Sequence, residues 1–209
     1  MELIKLPVEE FAALTGSDAP APGGGSVSAL CGALAAALGE MVARLTAGKE
    51  KYAASQQEME ALIGELPPLR KRLLLAVDED TRAFDEYMKA LSLPKSTEEE
   101  KALRKAAMQD GLRAAARVPL SAAETAAALF PYLEKALTLG NPNAVTDGMV
   151  AVMLARTCVL GTVFNVRVNL GSIDDPAFCE KAAEKCDALQ ALAEGEEHRI
   201  LSKISLSHM

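Results

Sequence analysis

Pro22-Gly23-Gly24-Gly25-Ser26-Val27-Ser28-Ala29-Leu30-Cys31-Gly32 opens the stretch that decides the fold. A Pro/Gly loop gives way to a run, Val27 to Ala47, with no proline and only two charges, Glu40 and Arg44. Ser26 stands where a helix N-cap belongs, because a serine hydroxyl there accepts from an unpaired amide of the first turn. Ala and Leu dominate the run, and both form helices readily. Ser28, Gly32 and Ala36 recur every four residues, a row of small side chains that lets a second backbone come close. The stretch reads as a buried helix.

The rest of the chain extends that reading. Of 209 residues, 50% are hydrophobic and 24% charged, which excludes global disorder. Aromatics make up 4% and Trp is absent, so Ala, Leu and Val must fill the core, a composition that favours helices over strands. Twenty-two basic against 29 acidic residues leave a net charge of −7 and no basic face, which argues against a nucleic-acid partner. Two apolar stretches, 27–43 and 144–170, invite comparison with membrane spans. Glu40 interrupts the first, and Asp147, Arg156 and Arg167 interrupt the second, so both are expected to be core helices and no membrane partner is expected. The N-terminus lacks the layout of a secretion signal. Cys31, Cys158, Cys179 and Cys186 form no CxxC pair, and reduced, buried thiols in a cytoplasmic protein are the expectation. Only His198 and His208 exist, both near the C-terminus, which disfavours a His-based triad or metal site.

Helix punctuation recurs throughout. A short segment spans Val8 to Leu14. Pro67-Pro68 is expected to end one helix before another runs from Leu69 to Leu91. Leu93-Pro94-Lys95 breaks that helix, and Ser96-Thr97-Glu98-Glu99-Glu100 supplies overlapping capping boxes for one near 98–116. Pro119 is expected to interrupt it, Ser121 with Glu124 to cap the next, and Pro131 to kink that one. Gly140-Asn141-Pro142-Asn143 is a turn before the long apolar helix from about 144, and Asp174-Asp175-Pro176 caps the last. Phe164 to Leu170 is the best strand candidate but fits a helix end equally well. The chain reads as one all-α domain over 1–209.

At 100° per residue along Leu69–Leu91, Leu73, Val77, Phe84, Met88 and Leu91 share a face, and Asp80 falls among them. A carboxylate on an apolar stripe loses hydration, and burial raises its pKa toward the range where it serves as a general base or acid. A purely structural acid bonded to a neighbouring helix terminus or an Arg fits the pattern equally. Asp78, Glu79 and Asp85 are expected to be solvated. Gly23, Gly24 and Gly25 precede no Lys-Ser/Thr pair and follow no strand, so they are neither a P-loop nor a dinucleotide fingerprint. They leave a helix N-terminus with exposed amides that suits an anion or a flat polar ring, or else a loop packed tightly for its own sake. Asp147, Ala151, Leu154, Cys158, Gly161 and Asn165 form one stripe, with Asn169 a turn beyond. Asp147 and Asn165 are separated by roughly 27 Å of helix, so they share a site only if the helix breaks or a second subunit contributes. Arg44, Lys49 and Lys51 suit a helix C-terminus and also a polyanionic ligand tail.

Several stretches together resemble one family. They are Pro22 to Ala29, Met41-Val42 with Leu45-Thr46, Val77-Asp78-Glu79-Asp80-Thr81-Arg82-Ala83-Phe84, Leu93-Pro94-Lys95, Val118-Pro119-Leu120, Ala123-Glu124-Thr125, Gly140-Asn141, Asp147 and Phe164 to Leu170. Their order and spacing are similar to the cyclodeaminase domain of formiminotransferase-cyclodeaminase and its stand-alone relatives, including methenyltetrahydrofolate cyclohydrolases, over about residues 4–205. The resemblance implies an all-helical homodimer or larger homo-oligomer, with a tetrahydrofolate derivative as substrate bound near subunit contacts and no metal. It implies that Asp80, the second aspartate of the D-x-D stretch, is the catalytic acid. It also implies that Gly23, Gly24, Gly25, Ser26, Asp147, Asn165 and Asn169 belong to the folate site. The formiminotransferase domain of the bifunctional enzyme is not in this sequence, so no handover between two domains is expected within it. The implied reaction closes 5-formiminotetrahydrofolate to 5,10-methenyltetrahydrofolate with loss of ammonia. Its nearest rival opens the methenyl compound with water to 10-formyltetrahydrofolate, and a folate-binding helical module without catalysis is the rival of another class.

Overall fold

A computed structural model describes residues 2–204. Seven α-helices follow in order: α1 Val8–Thr15, α2 Gly24–Thr46, α3 Gln56–Leu91, α4 Glu98–Ala127, α5 Phe130–Leu139, α6 Val145–Leu170 and α7 Pro176–Leu201. Short 3₁₀ turns at Leu3–Lys5, Glu50–Ser55 and Pro142–Ala144 join them, and no strand occurs among the described residues. The 164–170 stretch is the C-terminal end of α6.

α2 lies between α3 and α6, α4 bridges α3 and α6 on the other side, and α7 covers α6. Ala and Gly line the α2 seams, where Ala29, Ala33, Ala35, Ala36 and Ala43 are all but inaccessible. A Cβ added at Gly32 would stand 2.7 Å from the Cys158 sulfur and 3.1 Å from a Leu73 methyl, so this glycine sets how closely α2 meets α3 and α6. Leucines and Phe130 fill the centre, with Leu62, Leu66, Leu73, Leu129 and Leu133 essentially sealed from solvent. By length and composition α2 and the 142–170 stretch are apolar enough to cross a membrane, yet both are integral to this bundle.

Four boundaries differ from the sequence reading. α3 runs unbroken through Pro67 and Pro68. Each proline removes a helical hydrogen bond, but Met59, Leu62 and Leu66 before the pair and Leu73 after it are all buried, so packing on both sides holds one axis. α4 likewise continues through the buried Pro119, so Ser121 and Glu124 are mid-helix and make no capping box. Pro131 sits in the first turn of α5, where a missing amide costs nothing, and kinks no helix. Ser26 is the third residue of α2, not its cap, which is Gly23. The Thr97–Glu100 capping box and the Asp175 cap on Phe178 stand as the sequence indicates.

Asp78 is a fifth difference. It is buried and accepts the Leu3 backbone N–H, tying the N-terminal turn to α3. Glu79 is half-buried and paired with Arg72 at 2.6 Å, while Asp85 is exposed. The four cysteines are free, and burial pushes the Cys158 thiol up to about 12, so it packs as an inert core residue.

Gly32→Val should lower unfolding free energy by about 1–3 kcal/mol in urea titration. Gly64→Ala, at a helical position with nothing within 4 Å of the new methyl, should raise it by about 0.5–1 kcal/mol.

Candidate active site

Asp80 enters the site because α3 carries it to the N-terminus of α2. The two helices meet so tightly there that a Cβ on Gly25 would fall 2.2 Å from Asp80 Oδ1. Only glycine fits at 25. The contact strips water from the carboxylate, and this burial raises its pKa above the ordinary aspartate range. The Ser26 hydroxyl and backbone amide act in the opposite direction without reversing the shift. No full charge contributes, so the environment of Asp80 is made of dipoles and apolar surface.

A cavity of about 150 Å³ opens beside this carboxylate. Its walls are Pro20, Ala21 and Gly23 to Gly25 from the loop and first turn of α2; Asp80, Thr81 and Phe84 from α3; Ala115 from α4; and Asn165 and Asn169 from α6. Six sequence-derived candidates therefore converge: Gly23, Gly24, Gly25, Asp80, Asn165 and Asn169. Ser26 does not line the space. It is fully buried behind Asp80, with its hydroxyl 2.9 Å from Val77 O and 3.1 Å from Asp80 Oδ2. Asp147 lies in the first turn of α6, at the far end of that helix from Asn165, and is not in this cavity. His198 is exposed on α7, and His208 lies outside the described residues.

The two asparagines are oriented by the backbone. Asn165 Nδ2 donates to Gly161 O at 2.8 Å, and Asn169 Nδ2 donates to Asn165 O at 2.8 Å and to Ala115 O at 3.2 Å. Both Asn169 Nδ2 protons and one of the two on Asn165 are thereby engaged, and the Oδ1 atoms remain as acceptors. Ala115 O is free for Asn169 because its helical donor would be the amide of residue 119, and Pro119 has none. The proline that leaves α4 intact therefore supplies a polar contact to the pocket. By sequence Pro119 signals a helix break, and the i−4 rule also marks the Ala115 carbonyl as an orphan acceptor. Thr81 and Phe84 were legible only as neighbours of Asp80, and Ala115 carried no signal of its own.

At the other end of α2 the Tyr52 hydroxyl donates to Asn141 Oδ1 at 2.8 Å, and the Asn141 backbone N–H donates to Thr46 Oγ1 at 2.8 Å. Lys51 lies over the Tyr52 ring and Arg44 pairs with Glu40. Among the described residues no three His, Cys, Asp or Glu side chains gather as metal ligands.

An enclosed acid with a raised pKa, beside ring-sized space edged by hydrogen-bond acceptors and helix N-terminal amides, suits proton transfer on a polar heterocycle. The model of the formiminotransferase-cyclodeaminase family matches residues 7–188. The formimidoyltransferase-cyclodeaminase of Sus scrofa is 38% identical over 202 residues, covering 97% of this chain but 37% of that protein, so the chain spans little more than a third of its length. The methenyltetrahydrofolate cyclohydrolase of Methylorubrum extorquens is 36% identical over 197 residues, covering 94% of this chain and 95% of that protein. A crystal structure of formiminotetrahydrofolate cyclodeaminase from Thermotoga maritima superposes with a TM-score of 0.84 at 32% identity, covering 96% of each chain.

Pro119→Ala should raise stability by up to about 3 kcal/mol, since it restores a helical donor. That donor competes with Asn169 for Ala115 O, so KM for the substrate should rise about five-fold. Thermal melts and initial-rate kinetics on the same preparation check both directions.

Proposed function

Because the chain belongs to the formiminotransferase-cyclodeaminase family, we propose that it closes 5-formiminotetrahydrofolate to 5,10-methenyltetrahydrofolate and releases ammonia. The observation that carries this reading is Asp80, a desolvated carboxylate at the wall of a ring-sized cavity. N10 attacks the carbon of the protonated formimino group held on N5; a C–N10 bond forms as the C=N π pair moves onto the amino nitrogen. Asp80 takes the N10 proton, leaving a neutral tetrahedral carbon between the two ring nitrogens. The same proton passes from Asp80, directly or through water, to the departing amino group. Ammonia leaves with the C–N bond pair, and the N5–C–N10 bridge retains the single positive charge. Both reacting groups belong to one molecule, so orientation supplies much of the rate. The Oδ1 atoms of Asn165 and Asn169 suit ring N–H donors, and the amides at Gly23 to Gly25 suit a ring carbonyl.

Water addition to the same methenyl carbon is the second reading, favoured by the end-to-end match to a methenyltetrahydrofolate cyclohydrolase. It uses the same base on a water in place of N10. Free thiols accord with a cytoplasmic location.

The site is proposed to be completed in a homodimer. At about 150 Å³ the cavity is half the volume that a drug-sized ligand requires, about 300 Å³. The outer face of α6 exposes Val150, Met153, Phe164 and Val168 along its length, the last two at the end that lines the cavity, and α2 exposes Leu34 and Leu45. A helix apolar on its solvent side as well as its core side calls for a cover. A two-fold axis across α6 near Thr157 sets Val150 of one protomer against Phe164 of the other. It also carries Asp147 of each to the other's Asn165 end, resolving the separation along one helix.

Asp80→Asn should bind folate and lose at least about 100-fold in ammonia release coupled to methenyl absorbance. Unchanged turnover sinks the assignment. Burial favours the neutral acid in the folded state, so ionised Asp80 costs stability above its raised pKa. The variant should therefore melt higher at pH 7, with the gain vanishing below about pH 4, where the unfolded carboxyl is also neutral. In a second experiment, inactive Asp80→Asn and Asp147→Asn proteins are mixed and allowed to exchange subunits. Recovery of about a quarter of wild-type activity supports the shared site, and no recovery rejects it.

A further inference from the structure

We infer that Ser26 is the positioning residue of the Asp80 base, a buried hydroxyl that serves both protonation states of the carboxylate through two alternative hydrogen bonds. The inference rests on Asp80 being the base and goes beyond it. Ser26 Oγ has one proton and three oxygens within reach: Val77 O at 2.9 Å, Asp80 Oδ2 at 3.1 Å and Thr81 Oγ1 at 3.3 Å. It is wholly inaccessible, so no water substitutes for any of them. With Asp80 ionised, the proton aimed at Oδ2 holds the carboxylate and disperses its charge. Once Asp80 has taken a proton, the Ser26 proton turns to Val77 O and its oxygen accepts from the new carboxylic acid or from Thr81. Neither state strands a buried polar group, which would cost about 1–3 kcal/mol.

The Ser26 hydroxyl grips Oδ2, and the Ser26 backbone amide adds a second contact to the same carboxylate. Val77 lies one turn before the adjacent Asp80 and Thr81 on α3, and Ser26 reaches all three only because Gly25 lets α2 descend onto that face. No charged group competes for the carboxylate. On α3, Asp78 is engaged by the Leu3 amide, Glu79 by Arg72, and Arg82 by Asp78 O. α2 presents Gly24, Gly25 and Ser26, α6 presents Asn165 and Asn169, and α4 presents Ala115, none of them ionisable. Thr81 lines the cavity and touches Ser26, so a hydroxyl path runs from the base to the ligand space.

The experiment compares wild type, Ser26→Cys and Ser26→Ala, with folding checked by circular dichroism. Two readouts are taken: the pH profile of kcat and the titration of Asp80 followed through carboxyl-¹³C aspartate, with Asp80→Asn assigning the signal. Loss of the hydroxyl should move the acid limb and the Asp80 titration upward by roughly one pH unit. It should lower kcat about ten-fold and leave KM within about two-fold. Cys, with its weaker donor, should fall between. Coincident titrations and pH profiles in all three proteins overturn the inference. Turnover of neither one-carbon substrate by wild type overturns the proposed reaction instead, and the ¹³C titration still decides the contact. If Ser26→Ala does not fold, Ser26→Cys against wild type carries the same comparison.

Discussion

The close approach of Gly25 to Asp80 is the constraint on which the rest depends. Two helices meet there with one side chain removed, and the space vacated is occupied by a carboxylate. The physical setting of Asp80 follows from that contact: loss of water, a raised pKa, and proximity to the amides at the start of α2. The glycines and alanines farther along α2 maintain the same spacing, so the seam that holds the bundle together also aims the acid. Stability and reactivity share a geometry, and the acid is the part of it that the fold tolerates at a cost.

Much of this was legible in residues alone. Asp80 stands out because it breaks an apolar stripe of period 3.6, and the structure finds it half-buried at the cavity wall, with its pKa raised by desolvation. The glycine loop, Asn165 and Asn169 each carried two readings, and the structure places them around one space. Position-specific rules served less well where tertiary packing overrode them. Pro67, Pro68 and Pro119 each signal a helix break, yet flanking leucines and alanines bury enough surface to keep α3 and α4 continuous. Ser26 has the composition of a cap, but the glycine before it begins the helix and turns its hydroxyl inward. Asp78 read as solvated because its partner, the amide of Leu3, lies 75 positions away, beyond any local pattern.

α6 joins the two levels of organisation. Its sequence is apolar nearly all round, so it serves as a core helix on one side and offers a hydrophobic face on the other. Its polar residues Asn165 and Asn169 sit between these faces, at the wall of the cavity beside Asp80.

The link from Pro119 through Ala115 to Asn169 has a consequence for how the site is inherited. The acceptor is a main-chain carbonyl, so no replacement of the alanine side chain removes it. The contact is encoded four positions away, by a residue that acts through the hydrogen it lacks. Natural variation should therefore couple positions 119 and 169 and leave 115 constrained only in size. Where another residue replaces the proline, its amide competes for that carbonyl and the asparagine keeps only its bond to Asn165 O.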